Sequence, residues 1–150
     1  MDNASRHTLF SFFNEIGIIA QLSRAAMEAR LPKGLTLPHF SVINHLIRVK
    51  DGQTPLALAK AFQVPKTTMT HTLSGLLDHG LVDMRPNPKD GRSKTVWLTE
   101  AGRQFRETAI RSIDPDMSAI KSAIPEEKIA EILPLLAEVR IFMDAYRDEN

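Results

Sequence analysis

The sequence predicts a mainly α-helical protein carrying one small β-hairpin. Three observations point there. Apolar residues recur at three- and four-residue steps along most of the chain, as on one face of an α-helix. Period-two alternation is confined to two short runs, 81–85 and 94–98. Between those runs lies a segment dense in turn-forming residues, Pro86 to Ser93. With 150 residues, 43% of them hydrophobic and 25% charged, the chain fits a single globular domain with a workable core.

The elements follow in order. Residues 8–30 place Leu9, Phe12, Phe13, Ile16, Ile19, Leu22 and Met27 near the helical period, and Pro32 and Gly34 end the run. A second helix is expected over 36–50, with Thr36 as N-cap and Phe40, Ile43, Leu46 and Ile47 along one face. After the Asp51-Gly52 turn, Thr54-Pro55 is a compact helix start, a hydroxyl cap followed by proline at the first helical position. That short helix reaches about Phe62. Gln63-Val64-Pro65 then breaks the chain before another helix over 66–78, which His79-Gly80 closes. Two short helices joined by so tight a turn form a helix-turn-helix. The hairpin follows directly, as a wing with a basic tip. Thr99 caps a long helix, and a last one starts near Pro125, with Ile129, Ile132, Leu133, Leu136, Val139, Met143 and Tyr146 at helical steps. Pro115 and Pro134 are expected inside the two C-terminal helices, where proline removes a backbone bond. The architecture is thus a winged helix-turn-helix core over about 36–98, flanked by long helices at about 8–30 and 99–147.

Several function classes fall away. With no cysteine there are no disulfides, thiolate metal sites or thiol redox switches. No apolar stretch approaches the roughly 20 residues that span a bilayer, and the N-terminus does not look like a leader peptide, so an intracellular, cytoplasmic protein is expected. His39 and His45 stand six residues apart, and with His7, His71 and His79 they make no recognisable ligand set. No metal or cofactor is therefore expected. Neither a glycine-rich phosphate loop nor a nucleophile triad is present, so the chain does not read as an enzyme.

The net charge of +1 conceals an asymmetry. Residues 60–98 hold six basic side chains against three acidic, for +3, whereas 99–150 hold seven against eleven, for −4. A basic binding module joined to an acidic, non-binding part explains this, and so does a merely solvated charged face. The helix after the turn sharpens the choice. Lys66, Thr67, Thr68, Thr70 and His71 give it short polar and basic side chains suited to a major groove, while Met69, Leu73, Leu76 and Leu77 are expected to point inward. In the wing, Arg92 suits a narrow, electronegative minor groove. Asp90 is placed to orient its guanidinium or to cap the turn, and Lys89 and Lys94 to touch phosphates. The terminal helices are more apolar than so small a core requires. Burial against a second copy is the favoured explanation, a helical cap within one chain the alternative.

The stretch Leu58-Ala59, Val64-Pro65-Lys66, Thr70-His71 and Leu76 to Val82 resembles the helix-turn-helix of the MarR family of bacterial regulators. Asp90-Gly91-Arg92-Ser93-Lys94 followed by Val96-Trp97-Leu98-Thr99-Glu100-Ala101-Gly102-Arg103 strengthens the resemblance, which runs over essentially the whole chain. It implies a homodimer held by its terminal helices on a pseudo-palindromic double-stranded operator. It also implies a repressor released by a small, often aromatic, effector bound between the dimerisation helices and the winged module. Phe12, Phe13, Ile16, His39 and Phe40 would line that cleft, with core packing the competing role for each. The sequence departs from the family pattern at His71, where arginine is common, and at Asn87, where the wing often has aspartate. A histidine at 71 would make operator binding pH-sensitive.

Overall fold

The computed structural model describes residues 1–149. It divides into two compact units, Met1–Ile113 and the segment from Asp114 onward. The first unit holds α1 (Asn3–Glu28), α2 (Leu37–Arg48), α3 (Pro55–Phe62), α4 (Lys66–Asp78), the strands β1 (Val82–Asn87) and β2 (Asp90–Leu98), and α5 (Glu100–Ser112). The second holds α6 (Asp114–Ala123) and α7 (Glu126–Glu149). None of the described helices is long and apolar enough to cross a membrane.

The core of the first unit draws on every element of the winged module. Ile43 of α2, Leu58 of α3, Leu76 of α4 and Val96 of β2 are wholly buried together. Phe40 packs edge-on against Phe105 of α5, ring centroids 6.4 Å apart. Local chemistry sets the element ends. Thr54 caps α3 by accepting from the Ala57 N–H at 3.1 Å, and Gln63 leaves that helix in the left-handed region, φ 53°. The end of α4 is a Schellman turn. Gly80, φ 67°, lets its own N–H reach the Leu77 carbonyl and the Leu81 N–H reach that of Leu76, both at 2.9 Å.

β1 and β2 pair antiparallel from Val82↔Leu98 to Pro86↔Lys94, and a bulge at Pro86/Asn87 shifts the last pair to Asn87↔Asp90. The hairpin is therefore longer than its turn-rich composition suggests. Proline is tolerated where its missing donor faces away from the partner strand, and the bulge absorbs the register change. Gln53 adds a bridge to Val96 on the other edge. Beside it Asp51 accepts from the Gly52 and Leu98 N–H groups, each at 3.0 Å, fastening the α2–α3 turn to the wing.

Two expectations are corrected. Pro115 is not interior to a long C-terminal helix, because the chain turns at Ile113 and the proline stands in the first turn of α6. A first-turn N–H has no intrahelical acceptor, so nothing is lost there. Leu77 does not point inward. It is 40% exposed, since the buried face of α4 is carried by Met69, Thr72, Leu73 and Leu76. Pro134 does lie inside α7. Neither α1 nor α7 contains a buried residue.

Candidate nucleic-acid interface

α4 begins immediately after Pro65, and no acidic residue stands in its first turn. Its unbonded N–H groups and the positive end of its dipole therefore face outward beside Lys66. Thr67, Thr68, Thr70 and His71 are all exposed. The Thr70 hydroxyl donates back to the Lys66 carbonyl at 2.9 Å, which fixes its rotamer and leaves its lone pairs available.

The wing tip is a closed network. Asn87 donates through Nδ2 to Ser93 Oγ at 2.9 Å and accepts the Lys89 N–H at 3.1 Å. Asp90 accepts the Arg92 N–H at 3.0 Å, and Ser93 Oγ donates to the Asp90 carbonyl at 3.3 Å. Of the two roles expected of Asp90, it fills the turn-capping one. The Arg92 guanidinium makes no ion pair among the described residues, and the same holds for Lys66, Lys89 and Lys94. Cations left unneutralised on one side of a module are what a polyanion requires.

α4 and the wing enclose an open groove of about 730 Å³. Lys66, Thr70, Ser74 and Leu77, at successive turns of α4, form one wall, and Asn87, Asp90, Arg92, Ser93 and Lys94 form the other. Thr54, Pro55 and Leu56 at the start of α3 close one end. Of the expected contact residues, the groove thus gathers Lys66, Thr70, Asp90, Arg92 and Lys94. Thr67, Thr68, His71 and Lys89 lie outside its lining. Ser74, Asn87 and Ser93 are additions. The four-residue step from Lys66 through Thr70 to Ser74 is the signal that would have found the first of them.

The residues expected around an effector are placed as follows. Phe12 and Phe13 stack edge-to-face on α1, centroids 5.3 Å apart, with Phe13 exposed and Ile16 half-buried. Phe40 belongs to the core. His39 is buried, and its Nδ1 accepts the Thr36 N–H at 2.9 Å as the N3 member of a capping box. Burial, and then the neighbouring His79 and His71, hold its pKa below histidine's ordinary 6.5. Among the described residues no group of three or more His, Cys, Asp and Glu is arranged to hold a metal.

Residues 33–93, which contain the helix-turn-helix and most of the wing, match the sequence model of the MarR family. Over those residues the winged module is similar to the MarR family. The fold agrees along the chain's length. A MarR family protein from Bacillus stearothermophilus superposes with a TM-score of 0.75 at 18% identity, covering 96% of this chain and 99% of its own. Wild-type MarR from E. coli in its apo form gives 0.70 at 25% identity, covering 84% and 94%. PcaV, a transcriptional regulator from Streptomyces coelicolor in complex with its natural ligand, gives 0.62 at 19% identity, covering 83% and 88%. The chain thus has the winged-helix fold of these MarR structures.

Proposed function

We propose that the protein is a cytoplasmic, sequence-specific regulator of transcription that binds a pseudo-palindromic double-stranded operator as a homodimer and represses the genes it controls. The observation that carries this reading is the groove in which Lys66 and Thr70 of α4 face Arg92 and Lys94 of the wing, with all three cations free of carboxylate partners among the described residues. α4 enters the major groove, where Lys66, Thr67, Thr68, Thr70 and His71 meet base edges and phosphates. Arg92 enters the neighbouring minor groove, positioned by the turn that Asp90 caps, while Lys89 and Lys94 hold the flanking backbone. Dimerisation falls to the apolar faces of α1 and α7. PcaV is known with a natural ligand, and a small aromatic effector is proposed here too. Its cleft is bordered by Phe12, Phe13 and Ile16 on α1 and by the first turns of α2, where His39 and Phe40 lie.

Titration of DNA from the gene's own upstream region tests the reading. Specific binding should weaken steeply with salt, log affinity falling by about 0.9 per phosphate contact for each unit of log salt. Arg92→Ala should cost about 1–3 kcal/mol of specific binding, and Lys94→Ala should lower the salt slope by about 1 with little change in sequence preference. A salt-independent affinity, or one that Arg92→Ala leaves intact, defeats the proposal.

A further inference from the structure

The junction between α2 and α4 is built around a histidine that the DNA-contacting groove does not include. The Thr36 N–H can only donate, so His39 Nδ1, which accepts from it at 2.9 Å, carries no proton. The neutral ring therefore holds its hydrogen on Nε2. That atom is buried and has no hydrogen-bond partner among the described residues. It lies against Gly75 in α4, so close that a Cβ on Gly75 would collide with it. Glycine in a helix interior is unfavourable, and here its absent side chain is the space the imidazole occupies. The carbonyl of the same Gly75 is 2.9 Å from His79 Nδ1. Around His39 the titratable neighbours are His79 and His71, on and just beyond α4, while its own segment contributes the uncharged Thr36. Among the described residues, no carboxylate is among the groups that shift the ring's pKa.

We infer that His39 is the positioning residue that seats the recognition helix on α2, and that it does so only as neutral imidazole, so that acid releases α4 from its DNA-binding position. The inference rests on the DNA-binding role proposed above. Protonation places a hydrogen on Nδ1 that opposes the Thr36 N–H and can only turn to Thr36 Oγ1, 3.0 Å away, so the backbone half of the capping box is lost. It also puts a cation against Gly75 beside two further histidines, with no anion to balance it. The protonated ring must leave, and α4 loses the surface it is packed on.

His39→Gln separates this from every other titration. Glutamine at N3 makes the same capping box without titrating. DNA affinity is compared between the full-length wild type and His39→Gln at about pH 7.5 and about pH 5.5, either side of histidine's ordinary pKa. His71 and His79 are present in both proteins, so their contributions cancel in the ratio. The two should bind within about twofold at the higher pH. At the lower, the wild type should be weaker than the variant, and the gap should widen as the pH is taken down further, since the competent fraction falls by up to about tenfold per pH unit below the His39 pKa. A ratio that does not change with pH overturns the inference.

A second measurement needs neither DNA nor a variant. Imidazole nitrogen shifts of the wild-type chain should identify the Nε2–H tautomer at His39. Amide shifts of Gly75 and its neighbours should move together with His39 on acidification. An Nδ1–H tautomer, or α4 amides indifferent to the His39 titration, overturns it equally. Failure to bind DNA at any pH would sink the proposed function, while these shifts still decide the role of His39.

Discussion

A histidine that completes a capping box stabilises a helix end as glutamine would, but it makes the stability of the module depend on pH. The folded pKa of His39 lies below 6.5 because the ring is buried and its electrostatic neighbours are His79 and His71. Above pH 6.5 neither the folded nor the unfolded chain carries a proton there, so this residue's contribution is fully present. As pH falls through 6.5 the unfolded chain takes up a proton that the folded chain refuses. Stability then declines until the folded pKa is reached. Thermal unfolding should therefore show a lower midpoint at about pH 5.5 than at about pH 7.5, and His39→Gln should flatten part of that slope. An equal slope in both proteins would mean that the ring sheds no proton on folding. Gly75 makes the complementary test. In an open helix Gly→Ala gains up to about 1 kcal/mol, whereas here the new methyl meets His39 Nε2. Gly75→Ala should instead cost about 1–3 kcal/mol, as overpacked sites do. Denaturant unfolding reads this directly, and a gain in stability would show that α2 and α4 can part without cost.

Among the elements, Thr99 joins the wing to α5. Its Oγ1 donates to the Gly80 carbonyl at 2.7 Å and accepts the Gly102 N–H at 3.0 Å, while Gly102 packs directly against the Leu81 backbone. One hydroxyl thus fastens the end of α4, the base of the hairpin and the first turn of α5. Thr99→Val keeps the shape and removes both bonds. It should destabilise by about 1–2 kcal/mol, a cap and a hydrogen bond together, measured as a shift in denaturation midpoint at unchanged slope. Thr99 is legible in the sequence as a cap, and so is α4, whose bounds coincide with the expected 66–78 because Pro65 and Gly80 punctuate it unambiguously. The hairpin ends are less so. Pro86, Asn87, Asp90 and Gly91 are turn formers by type, yet cross-strand pairing and one bulge carry them into the strands. Leu77 misleads for another reason. Helical period places it beside Leu73 and Leu76, but α3 and α2 cover only a narrow stripe of α4, and Leu77 falls beyond it on the groove. Gly75 gives no local signal of any kind, because its role depends on a ring 36 positions away in the chain. Of the groove, the charged residues are legible by type, whereas Asn87 and Ser93 act through hydrogen bonds that only the folded turn creates.

Across the whole molecule, the terminal helices present an unmet demand for burial. On α1 the side chains of Phe10, Ile19 and Leu22 are each more than 60% exposed, and on α7 those of Ile141, Phe142 and Tyr146 are close to or above that figure. Fully burying one such side chain yields about 1.5–3 kcal/mol, so two helices bearing several of them are poorly matched to water. Their charges are confined to other positions. On α7 Asp144 pairs with Arg140 at i,i+4 and with Arg147 at i,i+3. The homodimer proposed above would remove this mismatch, and would let one small winged module suffice for the proposed specificity. Two modules reading half-sites about 34–36 Å apart double the contacted sequence without enlarging either. Light scattering at micromolar concentration should accordingly give the mass of two chains. Ile19→Glu combined with Leu22→Glu places two carboxylates in the apolar face of α1, and should yield a folded monomer whose DNA footprint shrinks to one half-site. Because a bivalent protein gains from the high effective concentration of its second arm, affinity for the full operator should fall by about 10²-fold or more. Affinity for an isolated half-site should stay within about threefold, since Lys66, Thr70 and Arg92 are untouched. A wild-type chain that scatters as one copy, or a double variant that still protects both half-sites, would show that α1 is covered by something other than its twin.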